Sequence, residues 1–331
     1  MTLSRRSWLH YSAASTLLAS LAASRAQAQV AALDTVKLIT GFPPGGTSDT
    51  ICRRVAAKLA PGYGKTVVVE NRTGAGGQIA AQAMKTLPND GSAILQTPMS
   101  ILGIYPHIYR KLAYDPLADF TPVSQGCTFD FGFAVGPAVP ATVRNLEEFL
   151  AWCKVNPGQA NFGSPAAGSV PHFIPVLFAK ARGVELKHVP YRGTQPAILD
   201  MVGGQVQAVS GPVGEFTQQV AAGKCRLLAT TGATRNRFAP TVPTLTEEGF
   251  KDMVFSEWFG FYLPAKAAPD VVQRANAALR AAIAERETVE GLEVMGLEAK
   301  SSSPAELAAL LKADTEKWGP LVKTVGFTAE S

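Results

Sequence analysis

The sequence is poor in charge and in the side chains that do chemistry. Of 331 residues, 17% are charged, against about 25% in an average globular chain. Histidine and cysteine occur four times each. Cys52, Cys127, Cys153 and Cys225 show no paired spacing, which excludes a CxxC redox motif and the usual cysteine zinc frameworks. Four cysteines allow three full disulfide pairings, and the spacing chooses none. Cys52 shares a helical face with Val55, Ala56 and Leu59 and is expected to be buried as a small hydrophobe. His107, His172 and His188 lack the paired spacing of metal ligands. No metal and no cofactor are therefore expected. No apolar run reaches the ~20 residues that span a bilayer. A hydrophobic fraction of 47% excludes a disordered chain.

Several enzyme signatures are missing as well. Gly64-Lys65-Thr66 resembles the end of a P-loop, but Leu59 stands where the first glycine belongs. It also precedes a strand, whereas the P-loop lysine must open a helix. Gly74-Ala75-Gly76 has Ile79 in place of the third glycine of a dinucleotide fingerprint. There is no Gly-x-Ser-x-Gly elbow. No nucleophile has a local activating partner, so an enzyme is not expected.

What is present begins with an address. Arg5 and Arg6 precede a short Ala/Leu/Ser run, and Ala26-Gln27-Ala28 is a small-x-small cleavage signal. Residues 1–28 read as a secretory signal peptide cut after Ala28. Ser4-Arg5-Arg6-Ser7-Trp8-Leu9 fits the twin-arginine motif, and a Sec signal with two adjacent arginines fits equally. The expected location is the periplasm, in soluble form. The formal charge is +5. Without Arg5, Arg6 and Arg25 the chain keeps 28 basic residues against 26 acidic ones. That near balance gives no electrostatic footprint for nucleic acid.

Beyond the address, strand-like and helix-like segments alternate, which predicts an α/β fold with mostly parallel sheets. A first series has strands at 36–41, 66–70 and 93–97, with a helical stretch carrying Ile51, Val55 and Leu59 on one face and a helix at 78–86. A second has strands at 131–135, 160–163, 187–190, 208–211 and 226–230. Helices at 146–154, 171–181 and 196–202 interleave with them. An aromatic-rich extended run covers 255–263, and the tail is helical. Ser303-Pro304-Ala305-Glu306 is a capping box with proline at the first helical position. No Gly/Ser linker separates the two series. Two doubly wound domains joined by crossing strands are expected, residues 29–127 with 258–331 and residues 128–257. The crossings fall near 127–130 and 257–259.

Glycine- or hydroxyl-rich loops recur between strand and helix. Residues 42–49 read Phe-Pro-Pro-Gly-Gly-Thr-Ser-Asp, and 71–77, 163–169 and 191–195 have the same build. Glycines let the backbone approach a ligand. The following helix offers unpaired N–H groups and the positive end of its dipole. Such a loop can hold a carboxylate or phosphate without a charged side chain. In open α/β sheets, ligands bind at the carboxyl ends of strands, where these loops lie.

The residues now resemble a known family. They are the 42–49 loop, Val69-Glu70-Asn71-Arg72, Gly74-Ala75-Gly76-Gly77 and Asn89-Asp90-Gly91. Further on come Asn161-Phe162-Gly163-Ser164 with Gly168-Ser169 and His172, and His188-Val189-Pro190-Tyr191-Arg192-Gly193. Val242-Pro243-Thr244-Leu245 and Trp258-Phe259-Gly260 complete the set. The chain resembles the tripartite tricarboxylate transporter substrate-binding proteins, the Bug receptors. It departs from their pattern at Gln207, at Tyr63-Gly64-Lys65 and at Pro165-Ala166-Ala167.

The resemblance implies a periplasmic Venus-flytrap receptor of type II-like architecture. It would capture a small carboxylate and act as a monomer with transporter subunits or, alternatively, a sensor kinase. An exported enzyme acting on a carboxylate is the competing class. The implied first-domain contacts are Pro44, Gly45, Gly46, Thr47 and Ser48, mainly through backbone N–H groups, with Thr97 and Ser100 on the wall. Asp49 would bind an amine, repel an unwanted anion or only cap its helix. Ser164, Gly168 and Ser169 would do the same on the second domain, beside His172, with Tyr191 and Thr194 closing over the ligand. Arg192 is expected to be exposed or salt-bridged. Phe129 and Phe131 are expected in the core or at an apolar sub-pocket.

Overall fold

A computed structural model describes residues 32–329. The expected export signal at residues 1–28 lies outside them. The described residues begin with β1 (Leu33–Thr40), α1 (Thr47–Leu59), β2 (Gly64–Asn71), α2 (Gln78–Ala83) and β3 (Ala93–Pro98). β1 lies between β2 and β3 and is parallel to both. It buries Val36, Leu38 and Ile39 completely, and α1 buries Ile51, Cys52, Val55 and Leu59. Those four recur at helical spacing, so one face of α1 can cover the sheet. Two short helices follow β3, α3 (Met99–Gly103) and α4 (Tyr105–Ile108).

Next comes β4 (Phe120–Val135), 16 residues long. Only its last five residues are strand-like in sequence, because Pro122, Ser124, Gln125 and Gly126 break the apolar run. After it come α5 (Leu146–Val155), β5 (Asn161–Ser164), α6 (Val170–Ala181), β6 (Lys187–Pro190) and α7 (Thr194–Val202). Then follow β7 (Ala208–Pro212), α8 (Val213–Ala221), β8 (Arg226–Thr230) and β9 (Ser256–Pro264). The chain closes with α9 (Pro269–Ala284), α10 (Arg286–Glu293), β10 (Glu298–Ala299) and α11 (Pro304–Val325).

The ten strands among the described residues form one sheet, ordered β2-β1-β3-β9-β4-β7-β5-β6, with β8 and β10 also pairing β4. Residues 120–130 of β4 pair antiparallel with β9, and residues 131–135 with β7 and β8. The α/β expectation holds, but the sheet is mixed rather than mostly parallel. Its two ends are parallel, β1 with β2 and β3, and β5 with β6 and β7. The long strands β4 and β9 tie those ends together through antiparallel ladders, which need no crossover helix.

Local signals land where the sequence puts them. Asn145 caps α5 by accepting the Glu148 N–H at 2.8 Å. At the start of α11 the Ser303 hydroxyl accepts from the Glu306 N–H at 3.2 Å, and the Glu306 carboxylate accepts from the Ser303 N–H at 2.7 Å. Leu307, Leu311, Trp318 and Val322 form the buried stripe of that helix. Cys52, Cys127, Cys153 and Cys225 are buried free thiols. Among the described residues no helix is long and apolar enough to cross a membrane.

A candidate solute cleft where two carboxylates meet apolar walls

The loop after β1 turns on Gly45, whose φ of +89° favours glycine. Gly46 then caps α1, with no side-chain capping bond. The capping role expected for Asp49 is therefore not taken up. Instead Asp49 ties the loop down. Its carboxylate accepts from the Gly45 N–H at 3.0 Å, the Arg53 Nε at 2.8 Å and the Asn71 Nδ2 at 3.0 Å. Burial pushes its pKa up, but the bonds from Arg53, Gly45 and Asn71 outweigh that and hold it below the usual carboxylate range. Both Asp49 oxygens are thus engaged within the protein. The Ser48 hydroxyl is also committed, donating to Gln96 Oε1 at 2.6 Å. Only its backbone side remains for the cleft.

A cavity of about 60 Å³ lies where β4 and β9 cross between the two ends of the sheet. By the same measure one water needs about 10–15 Å³, so the space takes a compact organic molecule. Gly46, Thr47, Ser48, Pro98 and Ser100 line it from the β1–β3 end. Pro165, Ala166, Ser169, Gly193, Thr194 and Gln195 line it from the β5–β7 end. Phe129, Phe131 and Phe259 supply an aromatic wall, with Phe129 centred 5.4 Å from Phe131 and 4.7 Å from Phe259. Phe129 and Phe131 thus serve core and cavity at once.

The expected contact residues divide. Gly46, Thr47, Ser48, Ser100, Ser169 and Thr194 border the cavity; Pro44, Gly45, Asp49, Thr97, Ser164, Gly168, His172 and Tyr191 do not. The hydroxyl of Ser164 meets His188 Nε2 at 2.8 Å, and the side chain is fully buried. His172 accepts the Gly168 N–H at Nδ1 (3.0 Å) and stacks on His188 at 3.8 Å. Burial, with His188 alongside, pushes the His172 pKa down to about 3, and burial takes His188 down to about 4. These rings are packing elements, and the Ser164–His188 pair lies outside the cavity walls. Tyr191 donates to Asp200 Oδ2 at 2.8 Å and does not line the cavity. Arg192 is exposed.

Two residues that the motifs do not mark dominate the polar side of the cleft. Glu215, at the start of α8, accepts from the Thr47 N–H at 3.2 Å, the Thr47 hydroxyl at 3.0 Å and the Gln195 Nε2 at 3.1 Å. The anion position at the N-terminus of α1 is thus filled by a carboxylate of the protein itself. Glu257, on β9, accepts from the N–H and hydroxyl of Ser100 at 2.8 and 2.6 Å. Both glutamates line the cavity and both are buried. Burial raises the pKa of Glu215 against the bonds from Thr47, Gln195 and Thr194. Burial also pushes Glu257 up to about 7, opposed by Ser100 and aided by Asp314. A signal for both exists in the sequence. Each is a lone acid inside an apolar run, Val213-Gly214-Glu215-Phe216 and Phe255-Ser256-Glu257-Trp258-Phe259.

Known proteins share this architecture. The UPF0065 protein in the tcbD-tcbE intergenic region of Pseudomonas sp. (strain P51) is 34% identical over 285 residues, 86% of this chain and 84% of that protein. The periplasmic binding protein BugD superposes with a TM-score of 0.83 at 28% identity, covering 90% of this chain and 99% of that one. Rpa4515 of R. palustris, solved with adipate, gives a TM-score of 0.84 at 28% identity, covering 89% and 98%. The sequence model of the tripartite tricarboxylate transporter family receptor, TctC, matches residues 51–327. The chain belongs to the TctC family of tripartite tricarboxylate transporter receptors, a family of periplasmic solute-binding proteins.

Proposed function

We propose that this receptor captures a small carboxylate-bearing solute in the cleft between two domains and delivers it to a membrane transporter of the tripartite tricarboxylate type. The division is residues 29–127 with 258–331 against residues 128–257. One observation carries the proposal. Loops at the carboxyl ends of strands from both ends of the sheet converge on one apolar cavity. The solute closes the cleft by differential affinity, since it touches both walls only when they approach. The contacts are Gly46, Thr47, Ser48 and Ser100 on one side and Ser169 and Thr194 on the other.

A thermal-shift panel of mono-, di- and amino-carboxylates tests the capture step. At a hundred times its dissociation constant, a solute that binds only the folded form stabilises by about 2.7 kcal/mol. That is a shift of several degrees. A panel in which no carboxylate raises the melting temperature refutes it. Delivery is tested separately, by solute-dependent co-purification with transporter membranes.

A further inference from the structure

The cavity is lined by two buried carboxylates and by no lysine, arginine or histidine. Neither Glu215 nor Glu257 has an ion-pair partner among the described residues, where every salt bridge involves other acids. Glu257 is 3% exposed, and both of its hydrogen bonds, from Ser100, fall on Oε1. Its Oε2 is left without a hydrogen bond among the described residues, in a side chain that faces the cavity. Burial disfavours the charged form of this carboxyl, and a cation bound at Oε2 from the cavity side favours it. Glu215 meanwhile occupies the N-terminus of α1, the place where a solute carboxylate would otherwise dock. A dicarboxylate entering this space meets two buried glutamates and no basic side chain. Phe129, Phe131 and Phe259 add apolar area and aromatic faces, which also favour an ammonium group.

We propose that the solute of this cleft carries an ammonium group on a compact apolar body, paired with the free oxygen of Glu257, and that simple dicarboxylates are excluded. The inference rests on the cleft being the solute site. On the proposed function the ammonium belongs to a zwitterionic amino acid; an amine without an acid group would replace that carboxylate-bearing solute.

Calorimetric titration of the purified protein with leucine, isopentylamine and adipate separates these cases. Wild type is expected to bind leucine or isopentylamine at least about tenfold more tightly than adipate. Leucine in preference to isopentylamine identifies the zwitterion, and the reverse identifies the free amine. Glu257→Gln keeps the size and the Ser100 contacts while removing the charge. It is expected to weaken the ammonium ligand about tenfold or more and to strengthen adipate, with an unchanged circular dichroism spectrum. Adipate binding to wild type as tightly as either amine overturns the proposal while leaving the cleft as solute site. An unchanged preference in Glu257→Gln does the same. Failure of all three probes to bind either protein at millimolar concentration overturns the cleft reading itself.

Discussion

Gly214→Ala is expected to weaken solute binding while leaving each end of the sheet folded. Gly214 is the second residue of α8, directly before Glu215. A methyl group built there lies 1.8 Å from the Met295 carbonyl oxygen, 1.9 Å from its carbon and 2.5 Å from the Gly296 nitrogen. The obstacle is backbone, so no rotamer change relieves it. A carbon–oxygen contact needs about 3.3 Å, so α8 and the Met295 turn must part by roughly 1.5 Å. The two segments belong to different proposed domains, and opening the cleft supplies the movement. A separation of that size carries Glu215 out of hydrogen-bond range of the Thr47 hydroxyl, now 3.0 Å away. Overpacking of this kind costs about 1–3 kcal/mol. Placed on the closed form alone, that is a loss of about 5- to 150-fold in apparent affinity. Titration calorimetry with the best solute of the thermal-shift panel measures the affinity, and small-angle scattering measures opening. Wild-type affinity with an unchanged radius of gyration refutes the reasoning. So does a large fall in melting temperature with affinity intact, because the contact would then be part of one rigid body.

The remaining predictions are shorter. Gly46 has an extended backbone, φ −84° and ψ 177°, and its Cβ position lies 3.6 Å from Glu215 Oε1. Gly46→Val should therefore fold normally, crowd the cleft and lose solute binding; unaltered affinity removes this loop from the site. The buried histidines should make stability depend on pH. Their folded pKa values lie below the ordinary 6.5, so the unfolded chain takes up protons that the folded chain declines. Their contribution is full above pH 6.5 and is lost as pH falls towards 4, roughly 3 kcal/mol for His188. Glu257, raised to about 7, acts in the opposite sense. Its contribution is full below its unfolded value of about 4.5 and is lost as pH rises through 7. The histidine part is thus read from urea unfolding of wild type against His172→Gln/His188→Gln at pH 7.5 and pH 5. Equal pH dependence in the two proteins contradicts it.

Much of the fold is legible in local chemistry. The capping box at Ser303 and the strands at 187–190 and 226–230 follow from nearest neighbours, and structure and sequence agree there. The first eleven residues of β4 are not legible. They hold a proline and several polar side chains, and they are strand because β9 offers a ladder partner. Ser124 and Gln125 are buried there because α11 and its approach cover them, with the Ser302 hydroxyl accepting from the Gln125 N–H at 2.9 Å. Short helices such as α3 and α8 escape for a related reason, since packing rather than propensity holds them.

The candidate site divides along the same line. Sequence by itself determines the glycine loops, their place at strand ends and their readiness for an anion, because turn geometry and helix dipoles are local. It also determines the family, through motifs spread over most of the chain. Which anion those loops meet is decided only in three dimensions. Glu215 stands 168 positions from Thr47, and Glu257 stands 157 from Ser100. Nothing local brings them to the helix ends. The long antiparallel run of β4 and β9 does, by joining the two ends of the sheet so that each loop faces a carboxylate from a distant segment.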